Sequence, residues 1–109
     1  MASCKITVLK KIINRELVEE FCSLDLSDQC LGCPHFFVGE EYLVENYNEV
    51  PAGFCSWAWA DIQKDVMTVM FGGSLPWIKQ KGVSIACCTD GLMPVMFKIE
   101  KIESEYIEV

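Results

Sequence analysis

One stretch of this chain carries a sustained helical period, and whatever else folds has to be arranged around it. Over residues 57–71, Trp59, Ile62, Val66, Val69 and Met70 recur at helical spacing on one face. Asp61, Gln63, Lys64 and Asp65 make up most of the other face and read as a solvated edge. Ser56 is placed to cap the start, Asp61 lies near the positive end of the helix dipole, and Gly72-Gly73 supplies the stop. The apolar stripe of this helix is expected to be wrapped by a sheet.

The flanking segments are short and mostly alternate. Residues 4–12 read as a strand, with Ile6 and Val8 on one face and Lys5 and Thr7 on the other. Asn14 is a plausible cap for a short helix over 15–22, with Leu17, Val18 and Phe21 turned inward. Residues 23–35 read as a loop, 36–45 as a strand interrupted at Gly39, and Pro76-Trp77-Ile78 as a helical turn held down by its indole. The last third reads as a hairpin. A three-residue Thr89-Asp90-Gly91 turn with Gly91 left-handed pairs Ile85 with Val95 and Val83 with Phe97. A two-residue Asp90-Gly91 turn instead sets Val83, Ile85 and Cys87 beside Met96, Lys98 and Glu100. The three-residue register keeps apolar against apolar and is the one predicted. It places Cys87 on the core face and Cys88 on the other.

The predicted fold is therefore a single α+β domain over residues 1–109, in the order β-α-β-α-β-β. Its two helices accompany a small curved mixed sheet or half-open barrel. A sheet this small leaves an edge. With apolar side chains to spare at Met93, Met96, Ile102 and Tyr106, a homo-oligomer is expected through the C-terminal hairpin.

Composition excludes several functions. Hydrophobic residues are 51% and charged residues 23%, the balance of a globular chain rather than a disordered one. The formal charge is −7, from 16 acids against 9 bases, a field that repels phosphate backbones. Lys10, Lys11 and Arg15 are the densest basic group and too few for a nucleic-acid footprint. No apolar run reaches the roughly 18 residues that would span a bilayer. The alternating start lacks the unbroken apolar block of a signal peptide, so a cytoplasmic location is expected. In that reducing setting the seven cysteines are buried thiols, reactive thiols or metal ligands rather than disulfides.

Three places concentrate the chemistry. Cys30 and Cys33 form a CxxC followed by Pro34 and His35. The spacing suits a metal knuckle, but no second pair completes four ligands, and the chain continues into a strand rather than the helix of a redox CxxC. Cys55 stands just before the long helix, where the dipole favours a thiolate. That position serves a nucleophile, a redox thiol or a ligand equally, and a buried loop cysteine is the bland alternative. Trp57 and Trp59 are either core rings or the roof of a pocket. Cys87 and Cys88 point to opposite faces of a strand, and Cys88, beside the turn, is the better candidate. His35 is the lone histidine and the only available base.

The segments GFCSWAWADI, FGG-x-x-PWIK and ACCTDGLMPVMFKIEKIE, with CPHFFVGEEYLVE before them, together resemble a family of small conserved hypothetical proteins of similar length. Its members come largely from anaerobic bacteria and archaea. Cys33, Pro34, Gly39, Cys55, Trp57, Trp59, Asp61, Gly72, Cys87, Cys88, Asp90, Gly91 and Pro94 match its pattern. Cys4, Cys22, Cys30 and His35 lie outside it, and Met93 stands where the family typically carries an arginine. The resemblance implies a fold and a short list of residues, and no reaction.

Three functions stay open. The first is a metal or cluster site, zinc or iron–sulfur, on Cys33, Cys55 and Cys88. The second is a homo-oligomeric small-ligand or protein-interaction module with a Trp57/Trp59-lined pocket and structural thiols. The third is a thiol enzyme using Cys55, for which no oriented base is visible.

Overall fold

The computed structural model describes residues 3–23 and 32–102. Its elements are β1 (Ser3–Lys11), α1 (Arg15–Phe21), β2 (Glu41–Val44), α2 (Ser56–Met70), β3 (Val83–Cys87) and β4 (Val95–Ile102). This is an α+β fold in the expected order. The four strands form one open sheet in the order β2-β1-β4-β3, and every pairing is antiparallel.

β1 and β4 sit at the centre. Cys4, Ile6 and Val8 alternate inward with Val95, Phe97 and Ile99, all essentially inaccessible. On the outer face Lys5 reaches Glu41 at 3.4 Å and Glu100 at 3.9 Å, and Lys98 reaches Glu100 at 3.3 Å. A bulge at Leu9 breaks this alternation: Val8 faces Phe97, but Lys10 faces Met96 and Lys11 faces Val95. Past the bulge Lys11 therefore shares the inner face with Val95, where an unbroken strand would have put Lys10.

α2 lies across the inner face of β1, β4 and β3 and buries Trp59, Ile62, Val66 and Val69 of the predicted stripe; Ala58 is buried as well, and Met70 is only half-buried. It begins one residue earlier than expected, so Cys55 is itself the cap residue. It ends in a Schellman motif. The Gly73 N–H donates to Thr68 O at 2.8 Å and the Gly72 N–H to Val69 O at 3.1 Å, with Gly72 at φ +87°. A Cβ on Gly73 would come within 2.9 Å of Thr68 Cγ2 and 3.0 Å of Thr68 O, so both glycines are required.

Asp65 departs from the expected solvated edge. It is buried, and its Oδ1 accepts the Ser84 hydroxyl at 2.9 Å across the helix–sheet interface. Lys64 lies 3.1 Å from its other oxygen. The small residues Ser84 and Ala86 are what allow α2 to approach β3.

The hairpin register also differs from both predicted ones. Val83 faces Glu100, Ile85 faces Lys98 and Cys87 faces Met96. The polar neighbours that argued against the two-residue turn are thus the ones β3 has. The cause lies outside the hairpin. Residues 91–94 are drawn onto the continuation of β1, where Asn14 N donates to Leu92 O and Ile12 N to Pro94 O, both at 2.9 Å. Asn14 Nδ2 adds a bond to Gly91 O at 2.6 Å instead of capping α1. Gly91 is not left-handed. Ser84, Ala86 and Cys88 consequently face the helix, so Cys88 is buried and Cys87 exposed, the reverse of the expected assignment.

Other expectations need correcting too. β4 is a central strand, so Met96 and Ile102 do not lie on an edge, and Tyr106 falls outside the described residues. In α1 only Val18 is buried, because this seven-residue helix packs on no other described element. Leu17 and Phe21 are exposed. β2 forms only from Glu41, because residues 36–40 turn around Gly39 at φ +94°, whose N–H bonds Val8 O. Trp77 is 74% exposed and holds nothing down.

Removing the Ser84 hydroxyl strands a buried carboxylate oxygen. Ser84→Ala is expected to cost about 1–3 kcal/mol in denaturant unfolding, whereas Thr89→Ala at the exposed end of the same sheet costs less.

Candidate functional site

Where α2 begins, it leaves the end of the sheet uncovered, and a cavity of about 300 Å³ opens there. Three separate segments supply its walls. Cys33 and Phe36 come from the loop before β2, Cys55, Trp57 and Ala58 from the start of α2, and Cys88, Asp90 and Met93 from the β3–β4 connection, with Val95 at the start of β4.

Each wall is held by an identifiable contact. The loop is pinned by the Lys11 ammonium, which donates to Phe36 O at 2.8 Å and Cys33 O at 3.1 Å. Buried Gly32, at φ +93°, lets the backbone pass close over Lys11, whose Cβ would lie 3.3 Å from an added Cβ. Phe36 then enters an edge-to-face cluster with Phe97 and Phe54, ring centroids 5.2 and 5.1 Å away, which closes the cavity floor.

Cys55 fixes the first turn of α2 through its backbone: its carbonyl accepts Trp59 N at 2.9 Å, while its thiol makes no capping bond. The third wall is clamped to the helix. Asp61 Oδ2 accepts both the Thr89 N–H at 2.8 Å and the Thr89 hydroxyl at 3.0 Å. Cys88 Sγ accepts the Val95 N–H at 3.4 Å, which fixes the sulfur against the start of β4. Asp90 Oδ1 accepts the Leu92 N–H at 3.1 Å, the turn role expected of it.

The structure thus brings Cys33, Cys55 and Cys88 to one cavity. Among the described residues, however, no three His, Cys, Asp or Glu side chains are grouped so as to hold a metal ion. The thiols face one cavity from three walls without forming a ready coordination shell. Trp57 is 64% exposed at the rim, whereas Trp59 turns into the core against Phe54, centroids 6.3 Å apart, so only one of the two indoles lines the cavity. Cys87 faces away on the open side of the sheet. His35 is exposed, stacked edge-on to Phe36 at 5.7 Å, and does not line the cavity. Cys30 lies outside the described residues.

Sequence reasoning did not find Lys11 as the pin or Asp61 as the clamp. Asp61 sits on the helix face away from the apolar stripe, and only the β3–β4 register reveals its partner. Met93, expected as a spare apolar side chain for self-association, lines the cavity instead. The alternation of 83–88 admitted either face, so the buried position of Cys88 needed the register as well.

The chain matches no family model, no curated protein and no solved structure. No described helix is long and apolar enough to cross a membrane. The six described cysteines are free thiols.

Their surroundings predict an order of reactivity. Burial pushes the Cys4 thiol up to about 11, partly opposed by nearby Lys101. Since the thiolate is the nucleophile, native Cys4 is expected to resist iodoacetamide through pH 9–10 while exposed Cys87 labels first. Peptide mass spectrometry of timed samples reads the order, and early labelling of Cys4 would contradict this burial.

Proposed function

We propose that this protein is a small-ligand-binding module whose ligand enters the cavity at the start of α2, against Trp57, Met93 and the thiols. The observation that carries the reading is the cavity itself. It is largely apolar and walled by three independently anchored segments, with Asp90 as the one carboxylate among its described lining residues. Its volume of about 300 Å³ is at the small end of ligand sites. Cysteine and methionine sulfurs are polarizable and suit a soft or aromatic guest. Free thiols in these walls suit a reducing compartment such as the cytoplasm.

A second reading is favoured by the shared position of Cys33, Cys55 and Cys88. It is the binding of a soft metal ion or cluster, zinc or iron–sulfur, for which the side chains would rotate to close on the ion at about 2.3 Å each. As an enzyme the site lacks support from a base, because no imidazole lines the cavity.

Indole serves as the probe for the first reading, followed by amide chemical shifts of the labelled protein. Shifts centred on Cys55, Trp57 and Met93 are expected. Met93→Trp, which fills the mouth, should weaken binding about tenfold or more, equivalent to about 1.4 kcal/mol. Shifts scattered over the surface would sink the pocket reading. Element analysis of anaerobically purified protein, with a cadmium titration read by thiolate-to-metal absorption, addresses the second. Stoichiometric metal that is lost in Cys55→Ser and Cys88→Ser would move the assignment to the metal site.

A further inference from the structure

The two outer strands of the sheet are protected unequally. β2 begins with Glu41 and is flanked by Glu40 before it and Glu45 after it. A second β2 laid antiparallel about Leu43 would set Glu41 against Glu45, and like charges block that edge. β3 has no such guard. Residues 83–87 hold no charge, proline or bulge, and no described strand pairs with the edge facing away from β4.

The free edge has a defined hydrogen-bonding phase. Gly82 O accepts from Lys101 N at 2.8 Å, and Cys88 N donates to Val95 O at 3.2 Å, so even-numbered residues bond toward β4. By alternation, the N–H and C=O groups of Val83, Ile85 and Cys87 are directed away from the sheet. Among the described residues no backbone bond outside the sheet uses them. Their side chains share the open face, with Ile85 42% exposed and Cys87 exposed.

The strand is self-complementary in charge as well as in backbone. Lys79 and Lys81 precede it, and Asp90 follows. An antiparallel second copy centred on Ile85 brings the basic end of each strand to the acidic end of the other and sets Val83 beside the opposing Cys87. We propose that two copies of the chain join β3 to β3 about a two-fold axis at Ile85, making one continuous sheet across the dimer. Three hydrogen-bonded residue pairs form, each exchanging two bonds, for about six new backbone hydrogen bonds. The outward apolar triplets merge into one band on the open face. The paired edge itself takes no part in the cavity, which lies at the end of the sheet, faces the helix and shares only Asp90 with this interface.

Sedimentation velocity at high micromolar concentration provides the test. The full chain should run at twice its 12.3 kDa mass. Ile85→Pro removes an outward N–H that β4 does not use, and Ile85→Lys places two like charges at the axis. Each should halve the sedimenting mass with the circular dichroism unchanged. Leu43→Lys, on the opposite edge strand, should leave the dimer intact. Should Ile85→Pro fail to fold, Ile85→Lys alone decides. A wild-type monomer at that concentration, or a dimer that survives Ile85→Lys, overturns the proposal.

Discussion

The pairing of β1 with β4, and the bulge that interrupts it at Leu9, set the rest of the structure. Up to Val8 the two strands present a strict apolar-in, polar-out alternation, and α2 has a continuous surface to cover. A strand continuing in phase would have turned Lys10 inward and left Lys11 on the wet face. The inserted residue turns Lys11 inward instead, at the point where the core ends. There the ammonium satisfies the carbonyls of Cys33 and Phe36, which would otherwise face a partly dry interior. One extra residue in β1 thus decides where the loop before β2 lies, and with it one wall of the cavity.

The cavity is then a consequence of what α2 cannot reach. Phe36, Phe54 and Phe97 fill the space beneath the helix, with Tyr42 and Trp59 packed edge-on around Phe54. Beyond them the inner face still has buried positions, Val95 and Cys88, but the helix begins only at Ser56 and does not extend over them. Small side chains line the gap on the helix side, Cys55 and Ala58, and only Trp57 projects over it. Asp61 holds the opposite wall through two hydrogen bonds to Thr89, so the cavity width depends on a charge-assisted clamp rather than on apolar contact.

Much of this architecture could be read from the residues because its signals are local. The period of α2, its glycine stop and the alternation of β1 as far as Val8 each follow from a few consecutive side chains, and all three appear within a residue of where they are expected. The β3–β4 register could not be read in the same way. Local side-chain matching favoured one register, and hydrogen bonds from Ile12 and Asn14, some eighty residues upstream in sequence, imposed another. Asp65 failed for a related reason. Its place on α2 looks solvated until Ser84 is brought beneath it. Cys33, Cys55 and Cys88, the candidate ligands read from the sequence, line one cavity. Of the two readings open for the indoles, Trp59 takes the core one that its place on the stripe implies and Trp57 the pocket one, because two helical steps of about 100° each carry them to different faces.

The register that could not be foreseen also links the two features of β3. Adjacent strand residues point to opposite faces, so Cys88 turns its sulfur to the cavity wall while Cys87 lies on the open face beside the free edge. In the apolar-matched register these roles would be exchanged. Cys88 would lie in solvent, and Val83, Ile85 and Cys87 would be buried beneath α2. The helix could not then approach, since Ile85 would occupy the space that Ser84 and Ala86 leave for Asp65 and its neighbours. The observed register therefore exposes an apolar triplet on an unguarded edge, and in return it admits close helix packing and places a buried thiol in the cavity. A chain with an apolar β3 edge and small inward residues has traded surface protection for helix–sheet contact: the strand order leaves β3 outermost, and the register that turns Cys88 to the cavity is the one that sets the apolar triplet beside that open edge.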